Sequence, residues 1–236
     1  MAWDLLDSHD TDHGPIELYT QGMKEFMIRF DGIELMNSML HTSEDVLGEL
    51  SVAFCKQPQC EVLIGGLGLG FTLAATVRAS QGSEHAPQII VAELMPQIIE
   101  WFVQYFAKSL GIDVNCAKLV AGDAYQVIAN GHYHVICLDI DNGPTYLSTD
   151  DNQKMYSMAG LQQIYQHLDE DGVCLVWSAN EEPGLITQAA QQGFQVYLRY
   201  VHSQLTARVF EQYIYVLSKQ ALSEDFCSVE QLHAKG

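Results

Sequence analysis

The stretch EVLIGGLGLGFTLAATV (residues 61–77) decides how the chain folds. Its first residues are apolar and suit a buried strand, and they run without a break into Gly65, Gly66, Gly68 and Gly70. FTLAATV then reads as the start of a helix. Glycines at this density let backbone approach a ligand closely and adopt positive φ, and the helix N-terminus that follows offers unpaired N–H donors. The loop is therefore expected to seat a ligand, the simpler alternative being a tight turn. A dinucleotide fingerprint fits poorly, because GxGxxG begun at Gly66 would require glycine at Phe71.

Working outward, apolar runs at 61–65, 88–93, 117–122, 133–140 and 172–179 read as strands. Helical patterns fall between them, over 96–110, about 154–168 and about 184–192. Such alternation is the mark of βαβ units around a parallel sheet. The end differs: GFQVYLRYV and ARVFEQYIYVL follow one another with only a short polar connection, so an antiparallel hairpin is expected there. Five parallel βα units closed by such a hairpin make the Rossmann-like α/β arrangement of the class I S-adenosylmethionine-dependent methyltransferase fold. Upstream, KEFMIRFDGIELMNS reads as a hairpin turning at Asp31–Gly32, followed by a helix capped near Thr42 or Ser43. The expected division is a small N-terminal β-hairpin and connecting helix over 1–50, a nucleoside-binding domain over 51–220 and a tail over 221–236.

Composition narrows the function. With 30 acidic and 11 basic residues, the formal charge of −19 argues against nucleic acid, whose backbone demands a basic footprint, and suits a cationic small substrate. Ordinary surface charge for solubility is the alternative. Apolar stretches are interrupted well short of the roughly 20 residues a membrane span needs, so no membrane association is expected. An acidic start, MAWDLLDSHDTDHGP, lacks the charge pattern of an export signal and points to the cytoplasm. His9, Asp10, Asp12 and His13 resemble a metal cluster, but an acidic, mobile N-terminus is the preferred reading, and no metal is expected. The six cysteines read as single residues, with Cys137 and Cys174 as buried small hydrophobes. Trp101 and Trp177 sit in apolar patterns and are expected in the core.

Acidic residues recur at successive strand ends. Glu93 closes the second strand, where a carboxylate can accept hydrogen bonds from both ribose hydroxyls. Gly122-Asp123-Ala124 ends the third, where a carboxylate and an amide can recognise adenine. Each acid alone is equally a helix cap or a solvated loop residue. The fourth strand runs into Asp139-Ile140-Asp141-Asn142-Gly143-Pro144, and alternation puts Asp139 and Asp141 on one side, where they would attract a cationic amine. Asp141 or Asn142 can also merely close an Asx-turn. In open α/β sheets the carboxyl ends of the strands line the binding crevice, so these positions are expected to converge.

Several segments together resemble the spermidine/spermine synthases, the polyamine aminopropyltransferases: the FDGIEL hairpin, the HTSEDVLGEL helix, VLIGGLGLG, VAEL, GDAYQVI, LDIDNGP, MYSMAGL and DEDGVCLVWSA. The likeness is strongest to a divergent bacterial, spermidine synthase-like branch. It implies an enzyme that takes S-adenosylmethionine or its decarboxylated form as donor, holds no tightly bound cofactor, releases methylthioadenosine and forms a symmetric homodimer. It also implies that Asp139 takes the proton of the attacking amine. Glu93 with Leu94, and Asp123 with Ala124, would hold ribose and adenine. The family's loop reads GGGDGG, and its aspartate, which anchors the donor's ammonium, is matched here by Gly68, leaving Glu44 or Asp141 as substitutes. Asn142 and Leu47 replace a second acid and a tyrosine of the polyamine site.

Glu44 and Tyr19 are the remaining candidates for gripping the substrate, although a glutamate at a helix start commonly serves the helix dipole. Two other readings stay open: a methyltransferase using the intact donor, whose carboxylate would enter the space left at Gly68, and a protein that binds a nucleoside or polyamine without turnover.

Overall fold

The computed structural model describes residues 2–11, 14–83, 85–140 and 153–222. Four strands come first: β1 (Asp4–Thr11), β2 (Gly14–Gln21), β3 (Glu25–Phe30) and β4 (Ile33–Asn37), paired in sequence order as an antiparallel sheet. The sequence reading foresaw only the β3–β4 hairpin. It took the acidic start as mobile, yet β1 pairs with β2 along its length from Asp4↔Thr20 to Thr11↔Gly14. Two contacts explain why this charged segment is ordered: Leu6 packs on the core, and the Asp7 carboxylate accepts the indole N–H of Trp101 at 2.8 Å. That bond, ahead of the opposing effect of burial, holds the Asp7 carboxyl below its ordinary pKa. Asp12 and His13 lie outside the described residues.

The rest of the chain is α1 (Thr42–Ala53), β5 (Glu61–Gly65), α2 (Phe71–Ser80), β6 (Gln88–Glu93), α3 (Pro96–Trp101), α4 (Ala107–Leu110), β7 (Lys118–Ala121), α5 (Ala124–Ala129), β8 (Tyr133–Leu138), α6 (Gln153–Tyr156), α7 (Met158–His167), β9 (Leu168–Ser178), α8 (Pro183–Gln192), β10 (Gln195–Leu205) and β11 (Arg208–Ser218). Its seven strands are ordered β10-β11-β9-β8-β5-β6-β7. The five strands from β9 to β7 pair in parallel, and β11 and β10 close the edge antiparallel. The order reverses between β5 and β8, so their carboxyl ends open a crevice there.

Alternation along the strands divides the core. Val62, Ile64, Cys137, Leu175 and Ile214 face the side covered by the N-terminal sheet and α1 to α4, while Leu63, Ile136, Leu138, Cys174 and Val176 face α5 to α8. Trp101 is buried as expected, whereas Trp177 is only partly so. The helix expected over 96–110 contains a wider π-helical turn at Phe102–Phe106, and the one expected over 154–168 breaks where Ser157 caps α7 through the Gly160 amide. The cysteines also depart from expectation: Cys55 and Cys60 form a disulfide across the connection between α1 and β5.

Helices α1 and α2 touch with no side chain between them at Gly48. A β-carbon there would come within 2.5 Å of Ala75 Cβ, 2.6 Å of the Thr72 carbonyl and 2.7 Å of the Thr76 amide. Ser51 and Thr76 share a hydrogen bond at 3.1 Å in the same seam, and Arg78 reaches Asp45 at 2.7 Å on its surface. Alanine is worth about 1 kcal/mol over glycine in a helix interior, but two of its three clashes here are with backbone. Gly48→Ala is therefore expected to lower stability by about 1–3 kcal/mol in urea denaturation, since forced overpacking outweighs propensity. An unchanged or raised midpoint would show that the helices part freely.

Candidate functional site at the crevice of the parallel sheet

The glycine loop leaves β5 and is fastened on both sides. Gly66 donates to the Ala92 carbonyl at 2.8 Å, and Asp139 donates its amide to the Gly65 carbonyl at 2.8 Å. Gly66 has φ +93°, and a β-carbon on it would collide with the carbonyl oxygen of Asp139. Only glycine allows that approach. Gly70 then caps α2, donating to the Leu67 carbonyl at 2.8 Å.

Around this loop the strand tips converge. Glu93, at the end of β6, is buried; its Oε2 accepts the amides of Leu67 at 2.9 Å and Gly68 at 3.5 Å, and its Oε1 accepts that of Met95 at 2.9 Å. Its backbone carbonyl takes the Gly122 amide at 2.9 Å, which brings the tip of β7 alongside. Asp123 caps α5 through the Tyr125 amide at 2.8 Å. Ala124 is buried against the loop, 3.1 Å from where a β-carbon on Gly65 would lie, while Leu94 is exposed. The helix-cap alternative thus applies to Asp123, and Glu93 braces the loop itself.

Asp139 follows β8 and stands at the switch point. Its Oδ2 accepts the hydroxyl of Thr72, in the first turn of α2, at 2.6 Å. It is partly open to the crevice but closely surrounded by protein, and this burial pushes its carboxyl up to about 6, the Thr72 bond acting the other way. Glu44, in the first turn of α1, is its neighbour. Burial first, and then the charge of Asp139, push Glu44 up to about 7, against a 2.6 Å bond from the Ser43 hydroxyl. The contact of α1 with α2 at Gly48 brings this second carboxyl to the first, and His41 stacks on Phe71 at 4.2 Å beside it. Carboxylates whose affinity for a proton is raised towards neutrality are, once ionised, suited to accept one from an amine and to face a positive charge.

Other expectations fare differently. Tyr19 lies on the opposite face of the N-terminal sheet from the core, with the Arg29 guanidinium over its ring at 5.3 Å, and is not brought to the acids. Asp141 and Asn142 lie outside the described residues. At Gly68 a β-carbon would meet the thioether end of Met36 of β4, 2.5 Å from Cε and 2.6 Å from Sδ, so this flexible side chain borders the space beside the loop. Neither Thr72 nor Met36 was among the residues anticipated. Among the described residues no group of histidine, cysteine, aspartate and glutamate could hold a metal, and no helix is long and apolar enough to cross a membrane.

No protein-family model matches the sequence, and no curated protein does. Solved structures do. Spermidine synthase from Thermotoga maritima superposes with a TM-score of 0.67 at 22% identity, over 94% of this chain and 76% of that one. A spermidine synthase in complex with the transition-state analogue AdoDATO gives 0.69 at 21%, with the same coverage. Human Methyltransferase-like protein 13 in complex with SAH gives 0.53 at 17%, over 82% of this chain and 86% of that one. The chain has the class I methyltransferase fold. At these identities the likeness establishes the architecture, and within it the crevice acids stand where the strand order reverses.

The raised carboxyls link the site to stability. Between about pH 4 and 7 the folded chain retains protons on Glu44 and Asp139 that the unfolded chain has released, so their contribution to stability is full at low pH and is lost as pH rises through this window. The Glu44→Gln/Asp139→Asn double variant is expected to show a smaller fall in urea midpoint from pH 5 to pH 8 than the unaltered chain. An equal fall in both would remove these groups as its source.

Proposed function

We propose that the chain is a spermidine synthase-like transferase, which binds an S-adenosylmethionine-type donor on the glycine loop and passes its propylamine group to a cationic amine. The observation that carries this reading is the position of Asp139: at the switch point, against Gly66, fixed by the Thr72 hydroxyl and paired with a second acid. Spermidine synthases among the structural neighbours, one of them holding a transition-state analogue, support the choice within the fold.

In this reaction the acceptor amine first gives a proton to Asp139. Its freed lone pair attacks the donor carbon beside the sulfonium, the carbon–sulfur bond breaks, and its electrons neutralise the sulfur as methylthioadenosine leaves. The sulfonium supplies the activation, so the chain has to align the two partners and take the proton. A carboxyl near 6 is a better proton acceptor for an amine than an ordinary aspartate, and its half-buried neighbour Glu44 favours a cation in the same mouth. Glu93 already braces the loop through backbone amides, and in this reading its carboxylate also receives the ribose hydroxyls.

Intact S-adenosylmethionine would bring its carboxylate towards two acids and a thioether, which disfavours the methyltransferase alternative.

Two measurements test the reading. In thermal denaturation, methylthioadenosine is expected to raise the melting temperature and NAD to leave it unchanged, because only a ligand of the native state stabilises it; the opposite ranking rejects the nucleoside site. Asp139→Asn is expected to abolish transfer from the decarboxylated donor to putrescine while methylthioadenosine still binds. Full turnover in that variant would remove Asp139 as the base.

A further inference from the structure

We infer, on the donor-binding reading above, that Asp7 of β1 is a positioning residue for the nucleoside seat. By holding Trp101 it sets the helical segment 96–110, whose Phe102 fills the space beside Gly70, so attachment of β1 and affinity of the glycine loop are one equilibrium.

That segment is a strut between the loop and the N-terminal sheet. On the loop side, Gly70 has φ +87°, and a β-carbon on it would lie 2.5 Å from Cε2 of Phe102 and 3.3 Å from Cδ1 of Leu110. The strut also starts from the loop's own brace, since the Met95 and Leu67 amides each bond one oxygen of Glu93, both at 2.9 Å. On the sheet side, the buried Trp101 donates its indole N–H to Asp7 at 2.8 Å, and Phe106 meets Phe26 of β3 edge-on at 5.1 Å. Trp101 and Phe102 are consecutive, so a rotation of the strut that releases the indole also draws the Phe102 ring across Gly70.

Of these two sheet contacts, the one through Asp7 is the one able to open. Phe26 belongs to β3, which is paired on both sides, whereas β1 is an edge strand that pairs only with β2 among the described residues. Its register shifts between Leu5 and Asp7: Leu5 stands opposite Tyr19, Asp7 opposite the core residue Leu18, and Leu6 is the extra residue. Plain alternation would turn Asp7 away from the core once Leu6 packs on it, and the bulge turns it back onto Trp101. His9 supports the same pair, its Nε2 3.3 Å from Asp7 and its ring 5.9 Å from the indole. A buried indole N–H left without its acceptor is costly, so lifting of β1 destabilises this placement of Trp101 and, with it, the backing of the loop. A ligand that needs Gly70 in place favours the attached strand to the same extent.

Hydrogen exchange and calorimetry on the full chain test the assignment. Saturating methylthioadenosine is expected to slow exchange of the β1 amides about fivefold or more, and to slow those of β10, the edge strand of the other sheet, distinctly less. Equal slowing of the two strands, or none in β1, overturns the assignment while the nucleoside site stands. Asp7→Ala, which takes the acceptor away from the indole, should weaken methylthioadenosine by the same factor of about five or more. Asp7→Asn, which keeps an oxygen at that place, should bind it within about twofold of the unaltered chain. A purely structural Asp7 would lower the melting temperature in Asp7→Ala and leave the affinity unchanged; that result, or an equal loss of affinity in both variants, overturns the positioning role. If Asp7→Ala does not fold, the exchange comparison in the unaltered chain still decides. Failure of the unaltered chain to bind methylthioadenosine overturns the donor reading together with this one.

Discussion

Gly66 has no side chain, and the carbonyl of Asp139 occupies the place where one would begin. The contact draws the exit of β5 against the end of β8, and the amide of Asp139 completes it by bonding the Gly65 carbonyl. With the two strand ends in register, the side chain of Asp139 meets α2 at Thr72, and α2 in turn meets α1 across Gly48. One close backbone approach thus propagates to both acids of the crevice. Glycines on either side of α2 make it possible, and none of them contributes a functional group.

The electrostatics follow from this packing more than from the excess of acidic residues over the whole chain. Most of those side chains face solvent, where screening leaves each with little influence on the others. Glu44 and Asp139 differ because protein surrounds them, and burial disfavours charge on each before either feels its neighbour. The carboxyls then share their proton equilibrium, and arrival of a cation changes the state of both.

How much of this was legible in the amino acids depended on the range of the interaction. The parallel strands could be read because both faces of the sheet are covered and each strand is apolar throughout, as in VLIG and YHVICL. Glu93, Asp123 and Asp139 stood out because each ends such a run. β1 was not legible: its order depends on Leu6 and on a bond from Asp7 to Trp101, 94 positions away, while its local composition suggests solvent. Thr72 and Met36 were hidden for the same reason, since each acquires its role from a partner in another element. The separation of five positions between Cys55 and Cys60 matched no metal or redox pattern, and only the turn out of α1 brings them together.

The wide turn at Phe102–Phe106 has its own consequence. Ala107 donates to the carbonyl of Phe102, five residues back, so this turn holds one residue more than its neighbours. Counting ordinary helical phase through it misplaces everything beyond by one position. With the extra residue, Trp101 can reach the N-terminal sheet and Phe102 can press against Gly70 while Phe106 still meets Phe26. A single helical segment serves two sheets whose spacings do not match its natural pitch. A lineage that dropped one residue here would keep a continuous helix and lose that double fit.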